Sequence, residues 1–146
     1  MKLRVIYTQI VNELFYMELK IDTKEKFTVV LPLEPHIYDN MAAELAATCN
    51  NYLRNEVKNV ILNLQSVTAI DEGAAQSIAQ LQNDFYEQNA SFVICELKPS
   101  MEEAFEKLEL MEYLNITPSE SEAWDIVQME EIERELLDDD DITFPA

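Results

Sequence analysis

The residues best placed for chemistry lie in TAIDEGAAQS, residues 68–77, where Asp71 and Glu72 stand directly ahead of Gly73. Gly73 is the only glycine in 146 residues, where average usage would supply about ten. Acids at a helix start can accept backbone N–H groups or sit at the positive end of the helix dipole. A glycine beside them permits a positive φ or the close approach of another backbone. Two readings stand open for this trio: a tight turn with helix-start acids, or a loop that meets another molecule.

Other constellations are excluded by count. His36 is the sole histidine, so one chain cannot supply a His cluster for a metal or a Ser-His pair. With proline and apolar neighbours, it reads as a surface or strand-end residue. Cys49 and Cys95 are far apart and form no CxxC, which suits two buried, reduced thiols. A single glycine rules out a P-loop and a GxGxxG turn. The run Asp138 to Asp141 lacks the glycine and spacing of a calcium loop. No catalytic residue, metal site or cofactor is expected.

Charge narrows the partner class. The formal net charge is -19, and it is uneven. Residues 1–58 carry eight acids and seven bases, residues 59–107 eight and two, and residues 108–146 thirteen acids and Arg134 alone. Such a chain repels nucleic-acid phosphates and anionic lipid surfaces. No stretch approaches the roughly 20 apolar residues of a membrane span. The start shows no signal-peptide pattern. A cytoplasmic chain without direct membrane insertion is therefore expected; a basic protein partner is permitted, although solubility alone also explains the charge, and a homodimer is permitted too.

Certain elements must position the trio. FYMELKID (15–22) and KFTVVLPL (26–33) read as a β-hairpin, with Pro32 marking an edge or a strand end. A helix follows over 39–55, its stripe Ala42, Leu45, Cys49, Tyr52 and Leu53, with Asp39 or Asn40 as cap. NVILNL (59–64) suits a buried strand, and the next helix carries Ala74, Ile78, Leu81 and Phe85 inward. SFVICEL (91–97) is another strand, then a short helix over 99–110 with a serine cap, and a last strand at 113–117. The final helix spans 119–137; Ser119 and Glu122 have capping-box spacing, and Trp124, Val127 and either Ile126 or Met129 face inward. Residues 1–12 read as an extra N-terminal strand and 138–146 as an acidic tail, leaving 1–137 as one domain. Alternating strands and helices predict an α/β layered domain, a mixed and mostly parallel sheet with helices packed against it.

In that order, NVILNLQSVTAIDEGAAQSIAQL resembles the core of the STAS domain, the fold of bacterial anti-sigma-factor antagonists. LEPHIYDNMAAEL (33–45) is similar to the family's first helix entry, and SFVICELKPSMEEAFEKLELMEYLNITPSESEAW (91–124) to its later strand and helices. The resemblance covers roughly 13–130. It implies a non-catalytic interaction module that docks an anti-sigma factor or a kinase-like regulator through Asp71, Glu72, Gly73, Gln76, Gln80 and Asn83. An accessory STAS subunit of a transport ATPase or sensing complex is the alternative. Family members that switch partners carry a phosphorylatable Ser or Thr just after the Asp. Here Glu72 or Gly73 falls on that position, according to the alignment, and neither has a hydroxyl. Ser66, Thr68 and Ser77 are the nearest, and none is in the expected place. The resemblance thus implies a docking loop whose switch is lost. From Gly73 to Asn83 the helix has no charge, so its Gln/Asn face reads either as a solvated face or as a recognition surface.

Overall fold

The computed structural model describes residues 2–7 and 16–138. Its strands and helices alternate as the apolar patterning predicts. Strand β1 spans Lys2–Tyr7, β2 Tyr16–Thr23 and β3 Phe27–Pro32. These three form an antiparallel meander, with Leu19 opposite Pro32 and Ile21 opposite Val30. Strand β4 is the short pair His36–Ile37, and α1 runs Asp39–Asn51. Then come β5 (Asn59–Asn63), β6 (Ala69–Ile70), α2 (Glu72–Glu87), β7 (Phe92–Cys95), α3 (Pro99–Lys107), β8 (Ile116–Thr117) and α4 (Glu120–Asp138).

The main sheet has the order β1-β2-β3-β5-β7-β8, and β3, β5, β7 and β8 are parallel neighbours. One face carries the larger core, where Ile78, Leu81 and Phe85 of α2 and Leu45 and Cys49 of α1 meet Val30, Leu62 and Phe92. The other face is covered by α4, whose Ala123 and Val127 pack on Val29, Ile61 and Val93. Burying each large apolar side chain contributes roughly 1.5–3 kcal/mol, so the five-residue fully buried strand β5 is the centre of both cores.

Several boundaries differ from the sequence reading. The helix expected over 39–55 ends at Asn51 and tightens into a 3₁₀ turn at Tyr52–Arg54. Tyr38, not Asp39 or Asn40, occupies the position before α1. Lys98 precedes α3, with Pro99 in its first turn, while the Ser100 hydroxyl leaves the helix to donate to the Thr68 carbonyl at 2.9 Å. The last strand shrinks to two residues. Pro32 ends a strand that is interior, since β3 lies between β2 and β5. Ile126, half-buried, faces the core and Met129 does not. The Ser119 hydroxyl accepts the Glu122 N–H at 3.2 Å, as the capping spacing predicts. Of the expected N-terminal strand, residues 8–12 lie outside the described residues, as do residues 139–146 of the tail.

Candidate functional site

The short parallel pair β4–β6 forms a second, two-stranded sheet and places the starts of α1 and α2 side by side. The Pro35 carbonyl accepts N–H bonds from Thr68 and Ala69, and the Ile37 carbonyl accepts one from Asp71. Asp71 therefore leads into α2 just where Tyr38 leads into α1. Its carboxylate makes no capping bond to its own helix. One oxygen instead meets His36 Nε2 at 2.9 Å, and the other accepts the Asp39 N–H of α1 at 3.0 Å. The expectation that Asp71 caps α2 is thus corrected: it caps the neighbouring helix, because the β4–β6 ladder turns it across the gap. His36 is held from its other side by stacking on Tyr38, with ring centres 4.0 Å apart. The hydrogen bond from His36, reinforced by the Asp39 amide, holds the Asp71 carboxyl below its ordinary pKa.

Gly73 has no positive φ, so its glycine character is not required by the backbone turn. What a side chain would meet there is Asp39, whose Oδ1 lies 2.6 Å from where a Cβ would stand. Each helix start thus carries an acid from its neighbour: Asp71 bonds to the first turn of α1, and Asp39 lies against the first turn of α2. Negative groups at both positions suit the positive ends of the two dipoles. Glu72 is exposed in the first turn of α2.

Along α2, Gln76 and Gln80 are exposed and Asn83 is half-buried. Gln80 donates to Asp84 at 3.0 Å, and the Ser77 hydroxyl donates to the Gly73 carbonyl at 3.0 Å. Between Gly73 and Asn83 the outer face therefore shows amides, with the acids Glu72 and Asp84 at its two ends. Gln82, in the same uncharged run, is only 4% exposed. Its amide donates to the Tyr113 carbonyl and accepts the Asn115 N–H, pinning the segment that leads to β8. Sequence reasoning missed this role, although residue 82 follows the inward Ile78 by one helical turn. Of the three nearby hydroxyls, Thr68 is exposed and bonds to the Pro35 carbonyl, while Ser66 and Ser77 are half-buried.

Two further polar clusters lie away from this end. At the amino ends of β5 and β7, Asn59 accepts the Ser91 N–H at 2.8 Å and an Arg134 guanidinium N–H at 3.3 Å. Its amide donates to the Lys26 carbonyl and to Glu131. At the β8 edge, Tyr86 and Asn115 donate to Glu130. Burial, and then the Glu130 carboxylate, pushes the Tyr86 hydroxyl pKa up. Cys49 and Cys95 are buried and free, and burial raises both thiols to about 12, with Glu120 and Glu96 adding to the shift at Cys95. Among the described residues, no group of three or more His, Cys, Asp or Glu is arranged to hold a metal ion. Among them, too, no helix is long and apolar enough to cross a membrane. Among the described residues, the His36 ring hydrogen-bonds to Asp71 alone, and the pair joins two loops.

Comparison with known proteins gives the following. The family model of the STAS domain matches residues 18–123. The fold is similar to a proposed anti-sigma factor antagonist from Thermotoga maritima, at 15% identity and a TM-score of 0.68, covering 75% of this chain and 94% of the other. It is similar to an anti-sigma-factor antagonist (STAS) domain protein from Planctomyces limnophilus, at 15% identity and a TM-score of 0.65, covering 75% and 97%. It is also similar to part of the murine Solute Carrier 26 family member A9 anion transporter, at 12% identity and a TM-score of 0.60, covering 74% of this chain and 18% of that one. A search of curated proteins by sequence finds no match.

Proposed function

This chain belongs to the STAS domain family, and from that premise we propose that it is a non-catalytic docking module for a regulatory protein. The docking face comprises Asp71, Glu72 and Gly73 with Gln76, Gln80 and Asn83 of α2. The observation that carries the reading is the uncharged outer face of α2 beside the paired helix starts, in a chain of net charge -19. A partner packed closely on a surface must not bury unpaired charge. Exposed Gln76 and Gln80 meet that need where most of this surface does not. An anti-sigma factor or kinase-like regulator in a bacterial cytoplasm is the partner that this reading favours.

The switch is lost in this reading. A phosphate on a docking loop acts by adding about two negative charges to a close contact. Glu72 and Gly73 occupy the corresponding place and accept no phosphate, so the module stays in one binding state or is governed elsewhere. A second reading is favoured by the likeness to a part of an anion transporter: service as an accessory subunit in a transport or sensing assembly, through the same face.

The test begins with capture of a partner by the tagged full chain, followed by its identification. A transport subunit among the captured proteins supports the second reading, and a regulator the first. Gln76→Lys with Gln80→Lys leaves the core stripe untouched, and lysine at 80 still pairs with Asp84 one turn on. Affinity for the captured partner is expected to fall at least tenfold, about 1.4 kcal/mol. Lysines at exposed Asn55 and Gln88, beyond the far end of α2, are the control and should leave it unchanged. A folded double variant that binds as wild type does would remove the docking assignment.

A further inference from the structure

Helix α4 has two apolar faces, and only one is used. Ala123 and Val127 face the sheet. On the opposite side Met129, Ile132 and Leu136 are 59%, 57% and 56% exposed. Single exposed apolar residues are ordinary. Met129, Ile132 and Leu136 are different because spacings of three and four residues align them in one stripe. The stripe rises about 10 Å along the helix, which matches two turns of a facing helix.

Charge identifies what fits there. Asp125, Glu133 and Glu135 are exposed around the stripe. Arg134, the only base after Lys107, turns inward to Ser91 and Asn59. The outward surface of α4 is therefore an apolar strip bordered by acids with no cation among them. A second copy would bring the same acids against these. The chain's own terminus begins with Asp138 to Asp141 and meets the same repulsion. We infer that this face is a second docking surface, for an amphipathic helix with basic flanks in a partner protein. It lies across the sheet from Gln76 and Gln80 and does not rest on their assignment.

The experiment uses a fluorescent synthetic helix with leucines at i, i+3, i+4 and i+7 and Lys and Arg on the flanks. It is titrated with the full chain at about 0.05 M salt, where exposed charges remain weakly screened. Ile132→Ser with Leu136→Ser removes the stripe without changing charge, and is expected to weaken binding at least tenfold while circular dichroism is unchanged. The same peptide with Glu flanks should also bind at least tenfold more weakly, and Gln76→Lys with Gln80→Lys should bind the basic peptide as wild type does. Equal binding by the serine variant would show diffuse attraction to an acidic surface and overturn the inference. So would equal binding of the Glu-flanked peptide, or no binding of the basic one. Self-association in sedimentation that the serine variant abolishes would assign the face to a second copy instead. A tenfold gain in peptide affinity on ending the chain at Asp138 would assign it to the tail.

Discussion

The two ends of the sheet hold polar clusters of opposite character. At the amino end, Asn59 and Ser91 are 4% and 0% exposed, and Asn59 meets four partners: Lys26 just before β3, Ser91 just before β7, and Glu131 and Arg134 of α4. At the carboxyl end, the His36 and Asp71 side chains are each 34% exposed and their bond joins two loops. The closed cluster spends its hydrogen bonds within the molecule and fixes α4 to the sheet. The open one sets the shape of two helix starts and leaves groups facing water. In this pair of clusters, the amino-end one is sealed within the fold and the carboxyl-end one stays open to water.

The sharpest way to break that contrast is Asn59→Leu. It strands the Ser91 N–H and removes a partner from Arg134, and each orphaned buried group costs about 1–3 kcal/mol. Urea unfolding should show a loss of about 3 kcal/mol, with partner affinity unaltered in the folded protein. An unchanged unfolding free energy would place this cluster with the open kind. At the other end, Gly73→Ala should be nearly neutral for stability. Its new methyl displaces only the tip of the exposed Asp39 side chain, and helix propensity gains up to about 1 kcal/mol. We expect a net change within about 0.5 kcal/mol and a weaker hold on the partner. A stability loss above about 2 kcal/mol would show that Asp39 is fixed in place, which would make this end structural too.

The smallest effect belongs to Asp71, because water reaches it. Its folded pKa is below the ordinary carboxylate value of about 3.9. The sign follows from linkage: its stabilising contribution is present above the unfolded pKa and is lost as pH falls through the folded one. The melting-temperature gap between wild type and Asp71→Asn should therefore be widest above pH 5 and narrow on acidification. A gap independent of pH would mean that the carboxylate charge plays no part in joining the loops.

Much of the fold was legible because it depends on periodicity. Ala74, Ile78, Leu81 and Phe85 declare α2, and Val60, Ile61 and Leu62 declare β5, by burial patterns that a sequence carries openly. What was not legible depends on pairing across distance. Two-residue strands such as β4 and β6 are too short to show alternation. Arg134 reaches Asn59 across 75 positions, and no local spacing announces it. Asp71 looked like a cap for the helix that follows it, and only the ladder from His36 to Ala69 shows that it serves the other one. Gly73 allowed either a positive φ or a close approach of another backbone; its φ is not positive, and among the described residues the positive φ values fall at Asn89, Glu96 and Glu109. The candidate face was visible only as an absence of charge; that Gln82 leaves it for the interior became clear from its bonds to Tyr113 and Asn115.

The bond from Asp71 to the Asp39 amide has a consequence for local unfolding. A helix start is usually the first part of a helix to fray, each terminus opening on its own. Here the first turn of α1 is tied by a side chain that belongs to the entry of α2, 32 positions later. Fraying of one start withdraws a partner from the other, which couples the opening of the two. In amide exchange, Asp39 would then report on the integrity of a loop in which it does not lie.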